Sequence, residues 1–419
     1  MLKTKLLICI ATWMAVTSAG AQTVTGNARY VDPFIGVDGG GNVFPGVCTP
    51  FGMVKLGPDC GNKDWNAGWN PDGNIHGFSH THVSGTGGGC KYGNVLMLPL
   101  TGDIHLEDYS SPRANENTVL GEYKVELPRY RTAARLTALS KAGFHEYTFP
   151  QSESSKILID AGSCLTLHVE SQELVASGVK ILSNKEIEGY STVKGGWNLG
   201  GPYTVYFYAL LDTPADEYTV WKGTSVQSGE QVDATGTEKT GAYFGFHTTE
   251  GQKVRVKVGI SFISTEKAKA NISELSSWDF DEIRNAGIAQ WKEVLNTVEV
   301  EGNDNDKTIF YSALYHAFLQ PTDRTGENPL WESSEPYFDD YYAIWDTFRA
   351  THPLFALLKP SRQADIVRSM IDIYEHEGYM PDGRSGNCNG RVQGGSNSDV
   401  LIADAIVKNL PGIDYEKGL

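Results

Sequence analysis

This sequence predicts a multidomain β-then-α chain. It opens with an N-terminal antiparallel β-sandwich over residues 22–270, continues with a helical linker over 271–300, and ends in a further helical domain over 301–419. Three observations carry that expectation. Apolar residues alternate with period two as far as about Ala270, the period changes to three-to-four near Ser276, and no helical pattern separates the early strands. Many short strands with turns between them and no intervening helices argue for a sandwich rather than alternating βαβ units.

The clearest strand is Val254, Val256, Val258, Ile260 and Phe262, with Arg255, Lys257 and Ser261 between them. Shorter runs of the same kind occur at 123–127, 144–149, 156–159, 203–211 and 243–246. The first helix is expected after an Asp279 cap with Glu282 at the third position, its apolar stripe being Phe280, Ile283, Trp291, Val294, Leu295 and Val298. Residues 307–319 are apolar nearly all round and stop before Pro321, which predicts a fully buried helix. A third helix is expected from a Ser361 cap, with Ile366, Val367, Met370, Ile371 and Tyr374 on one side. A fourth should start near Asn397 or Ser398 and turn Val400, Ala403, Val407 and Leu410 inward. Helices this apolar need partners, so they are expected either to pack wholly on the sandwich or to continue into sequence beyond Leu419.

Composition narrows the function classes. The 419 residues carry 35 basic and 51 acidic side chains, a net charge of −16, with no basic run. Nucleic acid is therefore not an expected partner, because binding it requires a basic patch that displaces counterions from phosphates. Lys3 and Lys5 precede an apolar stretch from Leu6 to Val16, and small residues follow to Ala21. This predicts a signal peptide over 1–21 and an exported protein, periplasmic or secreted. No later stretch reaches the roughly 18 apolar residues of a membrane span. Removing the signal takes Cys9 and leaves five cysteines with no C-x-x-C pair, which is neither a disulfide framework nor a zinc ribbon.

Four segments can carry chemistry. The first runs from Trp65 to Trp69 and on through Gly77-Phe78-Ser79-His80-Thr81-His82 to the glycines from Gly85. On a strand, His80 and His82 would share a face and could bind a metal or a ligand's hydroxyls. Two histidines held by hydrogen bonds beneath a loop are equally compatible with the pattern. The Gly85–Gly93 run lacks the G-K-[ST] ending of a phosphate loop and suits a backbone lying against sugar. The second segment, from Tyr341 to Pro353, holds Trp345, Asp346 and Arg349. Rings for C–H faces and charged groups for vicinal hydroxyls are what a sugar pocket uses, although Asp and Arg three apart are also a common helical pair. The third is Lys194 to Trp197, more in keeping with core packing than with binding. The last is the polar glycine-rich loop 386–397, which is either a helix cap or a ligand contact.

At these segments the chain resembles glycoside hydrolase family 92, a group of exo-acting α-mannosidases. The resemblance rests on residues 30–36 (YVDPFIG), Phe44-Pro45-Gly46 with 50–54 (PFGMV), 77–82 (GFSHTH) with 84–87 (SGTG), 310–316 (FYSALYH) and 345–349 (WDTFR). It implies a β-sandwich, a helical linker and an (α/α)6 barrel, of which this chain holds only the start. It also implies inverting, calcium-dependent removal of terminal mannose from glycans, N-glycans among them. By position, Asp346, Arg349 and Trp345 would bind the mannose, and His80, His82, Trp69, Gly85 and Gly87 would line the site from the sandwich side. The calcium ligands are not assigned. The family's catalytic acid and base would lie past Leu419, so no catalytic residue is assigned and this chain alone is expected to be inactive. Asp382, Asp399 and Asp404 are carboxylates near the right loops, without an assigned role. Two other readings stand beside this one. One is an exported carbohydrate-binding protein without catalysis. The other is a metal-dependent amidohydrolase using His80 and His82, which the scarcity of early helices disfavours.

Overall fold

A computed structural model describes residues 24–61, 67–87, 91–166, 171–196, 199–390, 392–395 and 397–418. The expected signal peptide lies outside the described residues, as do Trp65, Asn66, Gly88, Gly89, Cys90 and Trp197.

Two antiparallel sheets make the first region. The nine-stranded sheet runs, neighbour to neighbour, Gln231–Thr235, Gln172–Ser183, Glu186–Gly195, Tyr203–Leu211, Gln252–Ser261, Ala142–Phe149, Thr132–Ala138, Glu122–Leu127 and Ala114–Val119. The seven-stranded sheet runs Gly57–Asp59, Gly77–Ser79, Leu96–Thr101, Ser152–Asp160, Thr240–Thr248, Glu217–Lys222 and Ser225–Gln227. Alternation decides which residues meet between them. Val254, Val256, Val258 and Ile260 are fully buried from one sheet, and Ile157, Ile159, Ala242 and Val220 from the other, in one core cluster. The antiparallel sandwich that the alternation predicts is the observed architecture.

Helices follow the last strand at once. The first, α1 (Thr265–Asn271), is capped by Ser264, whose side chain accepts from the Lys267 amide. It lies on the outer face of the nine-stranded sheet, where Ala268 and Ile272 meet Tyr208. Gly259 permits that approach, since a Cβ there would stand 2.1 Å from the Ala268 carbonyl oxygen. At seven residues α1 is too short to show a period, and the sequence reading missed it.

The second helix, α2 (Phe280–Leu295), begins where expected, with Asp279 accepting from the amides of Asp281 and Glu282. It joins the two regions. Phe280 and Ile283 pack on Leu139 and Phe144 of the sandwich, while Trp291, Val294 and Leu295 enter a second core made mostly by later helices. Those are α3 (Asp304–Ala317), α4 (Ile344–Thr347), α5 (Thr351–Leu358), α6 (Pro360–Glu377), α7 (Ser398–Val407) and α8 (Tyr415–Gly418).

Three helical expectations are corrected. Helix α3 is not buried all round: Tyr311, Ser312, Leu314 and Tyr315 face inward while Ile309 is 56% exposed. Helix α6 starts two residues earlier, with Lys359 at the cap position, Pro360 in its first turn and no side-chain cap, so Ser361 is not the cap; its Tyr374 is exposed. Helix α7 buries Leu401, Ile402 and Ala405, whereas Val400 is 47% and Val407 85% exposed. Both of its faces are apolar, so spacing alone could not choose between them.

The chain before the first strand is shared between the two cores: Val47, Met53, Val54 and Leu56 join the sandwich core, and other residues join the helical one. Ala28, Tyr30, Phe44, Cys48 and Phe51 are buried there. The ring of Phe51 sits among Phe318, Phe338 and Phe355, with centroids 5.2–6.2 Å away. Its amide donates to the Phe318 carbonyl at 2.8 Å and its carbonyl accepts from the Asp323 amide at 2.8 Å. Burying such a ring contributes about 2–3 kcal/mol.

Candidate functional site

A cavity of about 360 Å³ opens where the sandwich meets the helices. Its sandwich wall is the loop Ser84–Gly87. Its helical wall is built from the end of α3, the turn at Gln320 and Pro321, the segment from Tyr341 to Thr347, and the first turn of α5.

Buried carboxylates hold the helical wall in place. Asp339 accepts from Arg324 Nη1 at 2.9 Å and from the Asn387 amide at 2.7 Å. Asp340 accepts from the Tyr92 hydroxyl at 2.6 Å and from Ser385 Oγ at 2.7 Å, which ties the wall to the sandwich. Asp340 and Tyr342 have φ of 58° and 59°, a left-handed backbone uncommon for such side chains and sustained here by those bonds. The Arg324 guanidinium lies 3.3 Å from the Phe262 ring centroid, so the residue that follows the strand Gln252–Ser261 also clamps the network. The chain emerging from it delivers Trp345 and Asp346 to the cavity, and Trp345 packs on Gly394, where a Cβ would stand 2.5 Å from the tryptophan Cβ.

Four of the eight sequence-derived site residues meet at this cavity: Gly85, Gly87, Trp345 and Asp346. Asp346 is exposed there, and nothing lies within 4 Å of where a Cβ would be at Gly85 or Gly87. Gly85 has φ of +71°, so it also needs glycine for its backbone. Arg349 is placed elsewhere. It is exposed, with its guanidinium 4.9 Å from the ring centroid of its neighbour Phe348, and it does not line the cavity.

His80 and His82 do not line it either. The strand ends at Ser79, so the two rings diverge instead of sharing a face. His80 Nδ1 meets the Val95 carbonyl at 2.6 Å, and its Nε2 meets His145 Nε2 at 3.0 Å. His145 Nδ1 in turn meets the Tyr147 hydroxyl at 2.8 Å. Burial lowers His80 to about 4 and His145 well below the usual range, so both are neutral core groups. His82 bridges the Lys55 carbonyl and Asp59 Oδ1, each at 2.7 Å. Trp69 is 8% exposed, donates to Glu116 Oε1 at 2.9 Å and carries the Arg113 guanidinium on its ring.

Other residues take their place. His316 and His352 line the cavity, both lowered to about 4 by burial. For His316 the Ile35 backbone offsets this only in part, and neither ring nitrogen makes a well-formed hydrogen bond. Gln320 also lines the cavity with its Nε2 unpartnered. A neutral imidazole and a carboxamide with free polar atoms are ready partners for hydroxyls. Both histidines fall in segments the sequence singled out, 310–316 and 341–353, and for His316 the neighbouring Tyr315 is a signal that could have found it.

The remaining carboxylates separate clearly. Asp404 pairs with Lys408 at 2.6 Å, and Asp399 is an exposed first-turn residue of α7. Asp382 is 6% exposed and neither carboxylate oxygen has a well-formed partner. Desolvation raises it to about 6, against a weaker pull from the Trp345 backbone. Calcium takes about 6–8 oxygen ligands. Among the described residues no group of three or more His, Cys, Asp or Glu side chains is placed to hold a metal ion, so none of them is assigned as a calcium ligand. The same observation removes support for a metal centre on His80 and His82.

The model of the glycosyl hydrolase family 92 N-terminal domain matches residues 30–261, and that of the family's catalytic domain matches 267–419. The chain belongs to glycosyl hydrolase family 92. A family 92 alpha-mannosidase from Bacteroides thetaiotaomicron superposes with a TM-score of 0.85 at 29% identity, covering 95% of this chain and 56% of that one. The same enzyme has been solved in complex with mannoimidazole. A second family 92 enzyme of that organism, an inverting mannosidase, superposes at 0.81 with 27% identity, over 94% of this chain and 54% of its own. An uncharacterized secreted glycosidase of Arthroderma benhamiae is 29% identical over 96% of this chain and 52% of its own length. The family 92 chain thus spans about half the length of the relatives it matches. None of its described helices is long and apolar enough to cross a membrane.

Proposed function

We propose that this chain is part of an exported, exo-acting, inverting and calcium-dependent α-mannosidase that removes terminal mannose from glycans. The observation that carries the reading is the junction cavity, in which Trp345 and Asp346 from the helical side face the open Gly85–Gly87 loop of the sandwich in a member of family 92. Asp346 accepts from two vicinal hydroxyls, the Trp345 ring covers a C–H face, and His316 and Gln320 bond the remaining oxygens. The glycine loop lets the backbone approach the ring. Inversion needs a protonated carboxyl on the leaving oxygen and a carboxylate roughly 6.5–9.5 Å away that activates water. Neither role is assigned to a residue here. Calcium dependence belongs to the reading through the family resemblance, and export through the N-terminal sequence and the secreted relative.

A second reading has its own support. Asp346 is the one carboxylate among the described residues lining the cavity, and one carboxylate can bind a sugar without hydrolysing its bond. Both readings predict saturable binding of methyl α-mannoside by residues 22–419, weakened at least tenfold by Asp346→Ala in calorimetry. Unchanged binding by Asp346→Ala would remove both. Hydrolysis of an aryl α-mannoside and an α-linked mannobiose, with calcium and with chelator, separates them. Turnover that chelator abolishes in a form extended past residue 419 supports the mannosidase, and binding without turnover by that extended form supports the binding module.

A further inference from the structure

A second cavity, of about 310 Å³, lies on the sandwich and shares no lining residue with the first. Strand register shows which face it occupies. Leu96 pairs with Asp160, Asp160 with Gly241 and Gly241 with Trp221, so these four form one row across the seven-stranded sheet. The adjacent row, Met97, Ile159, Ala242 and Val220, is wholly buried in the core between the sheets. The first row therefore points to the outer side, where Tyr109, Cys164 and Lys239 complete the walls. Gly241 lets the Trp221 ring lie flat on the sheet, since a Cβ there would stand 2.4 Å from the indole.

Three polar atoms in and beside this cavity are buried with no partner among the described residues: Trp221 Nε1, Asp59 Oδ2 and Asp160 Oδ1. Each belongs to a side chain held by its surroundings. Trp221 is 1% exposed, His82 fixes the other oxygen of Asp59 at 2.7 Å, and the Tyr109 hydroxyl and Lys239 Nζ fix the other oxygen of Asp160 at 2.6 and 2.9 Å. One buried donor and two buried acceptors without partners are costly in an empty site and useful in a filled one.

The lining also limits the ligand. Asp59, Glu107 and Asp108 outnumber Lys239, whose ammonium is already engaged by Asp160, so phosphate, sulfate and carboxylate ligands are disfavoured. No described group of three His, Cys, Asp or Glu is placed to take a metal ion. Unmatched polar atoms exclude a purely apolar guest. A neutral, hydroxyl-rich ring presents donors and acceptors together, and the volume lies at the lower end of small-molecule sites. We infer that this cavity is a second, non-catalytic carbohydrate site that takes one neutral hexose unit, with the Trp221 N–H and Asp59 as its hydrogen-bonding groups and Asp160 behind them holding Tyr109 and Lys239 in the wall. It holds a glycan on the sandwich independently of the junction cavity.

The test reads the Trp221 indole N–H in an amide correlation spectrum of residues 22–419, assigned by its loss in Trp221→Phe. Titration with methyl α-mannoside, methyl α-glucoside and methyl α-galactoside is expected to shift it saturably for at least one sugar, equally in wild type and Asp346→Ala. Glucose 6-phosphate should bind at least tenfold more weakly than glucose. Cys164→Met, which fills the cavity from its wall and keeps the three polar groups, should weaken the response at least fivefold, and it serves if Trp221→Phe does not fold. An indole signal that stays still for every sugar, that moves only when Asp346 is intact, or that answers the phosphate sugar as well as the neutral one overturns the inference.

Discussion

The two walls of the junction cavity come from regions built to different standards of closure. In the sandwich each inner face meets another sheet, and the core rows are buried to the last side chain. In the helical region one side of several helices stays open, with Ile309 56%, Leu357 75% and Val407 85% exposed. A side chain that meets a facing surface is fixed by it, so alternation read from sequence identifies the inside of the sandwich correctly. A helix that is apolar on two faces has no such arbiter, which is why α7 turned the other way.

The largest loss is expected at the buried polar clamp between the regions. Asp339→Ala leaves Arg324, which is 0% exposed, without its carboxylate, and unfolding free energy should fall by about 3–5 kcal/mol in urea titration. A loss below about 1 kcal/mol would mean that the two regions are not coupled through this network.

Acid should weaken both regions together. His80 and His145 in the sandwich and His316 and His352 beside the cavity are held neutral by burial, three of them lowered to about 4. Because the unfolded imidazole takes a proton near pH 6.5 and the folded one does not, the unfolded state binds more protons and stability falls as pH drops from about 6.5 to 4. Each imidazole contributes roughly 3 kcal/mol over that window, an upper figure for groups this buried. Chemical denaturation at pH 7, 6, 5 and 4 reads the slope, and a flat profile would show that these rings are protonated in the folded protein.

The smallest effect sharpens the contrast best. Val407→Ala on the open face should change stability by less than about 0.5 kcal/mol. Phe207→Ala in the closed sandwich, at 0% exposure, should cost about 3–5 kcal/mol. Comparable losses at both sites would mean that something covers the open face in solution.

Legibility in the sequence follows the same divide. Strand periods located the strands they marked, often to within a residue or two: 203–211 coincides with its strand, and Asp279 caps the helix it was expected to cap. Segments without a period were opaque. Residues 24–56 form no regular strand, and Phe51 and Cys48 among them find partners more than two hundred residues away. Helix α1 is too short to repeat. At the site, Trp345, Asp346, Gly85 and Gly87 were legible because sugar-facing residues combine rings, charges and glycines in one segment. His80 and His82 misled because the inference assumed a strand that ends at Ser79.

The strap formed by residues 24–56 also sets an order of events. Trp291 donates to the Cys48 carbonyl across a separation of 243 residues, and Lys55 reaches Thr322 across 267. Contacts that distant in sequence form late and slow the folding of chains rich in them. As the chain is made or exported from its N-terminus, Phe44 and Phe51 emerge early, while the rings that enclose Phe51 do not exist until residue 355 has followed. Severing the chain between the sandwich's last strand at Ser261 and the helix at Thr265 would not yield two self-sufficient halves. The downstream piece would lack a plug and the upstream piece would carry an exposed aromatic tail, so residues made early are among the last to find their place.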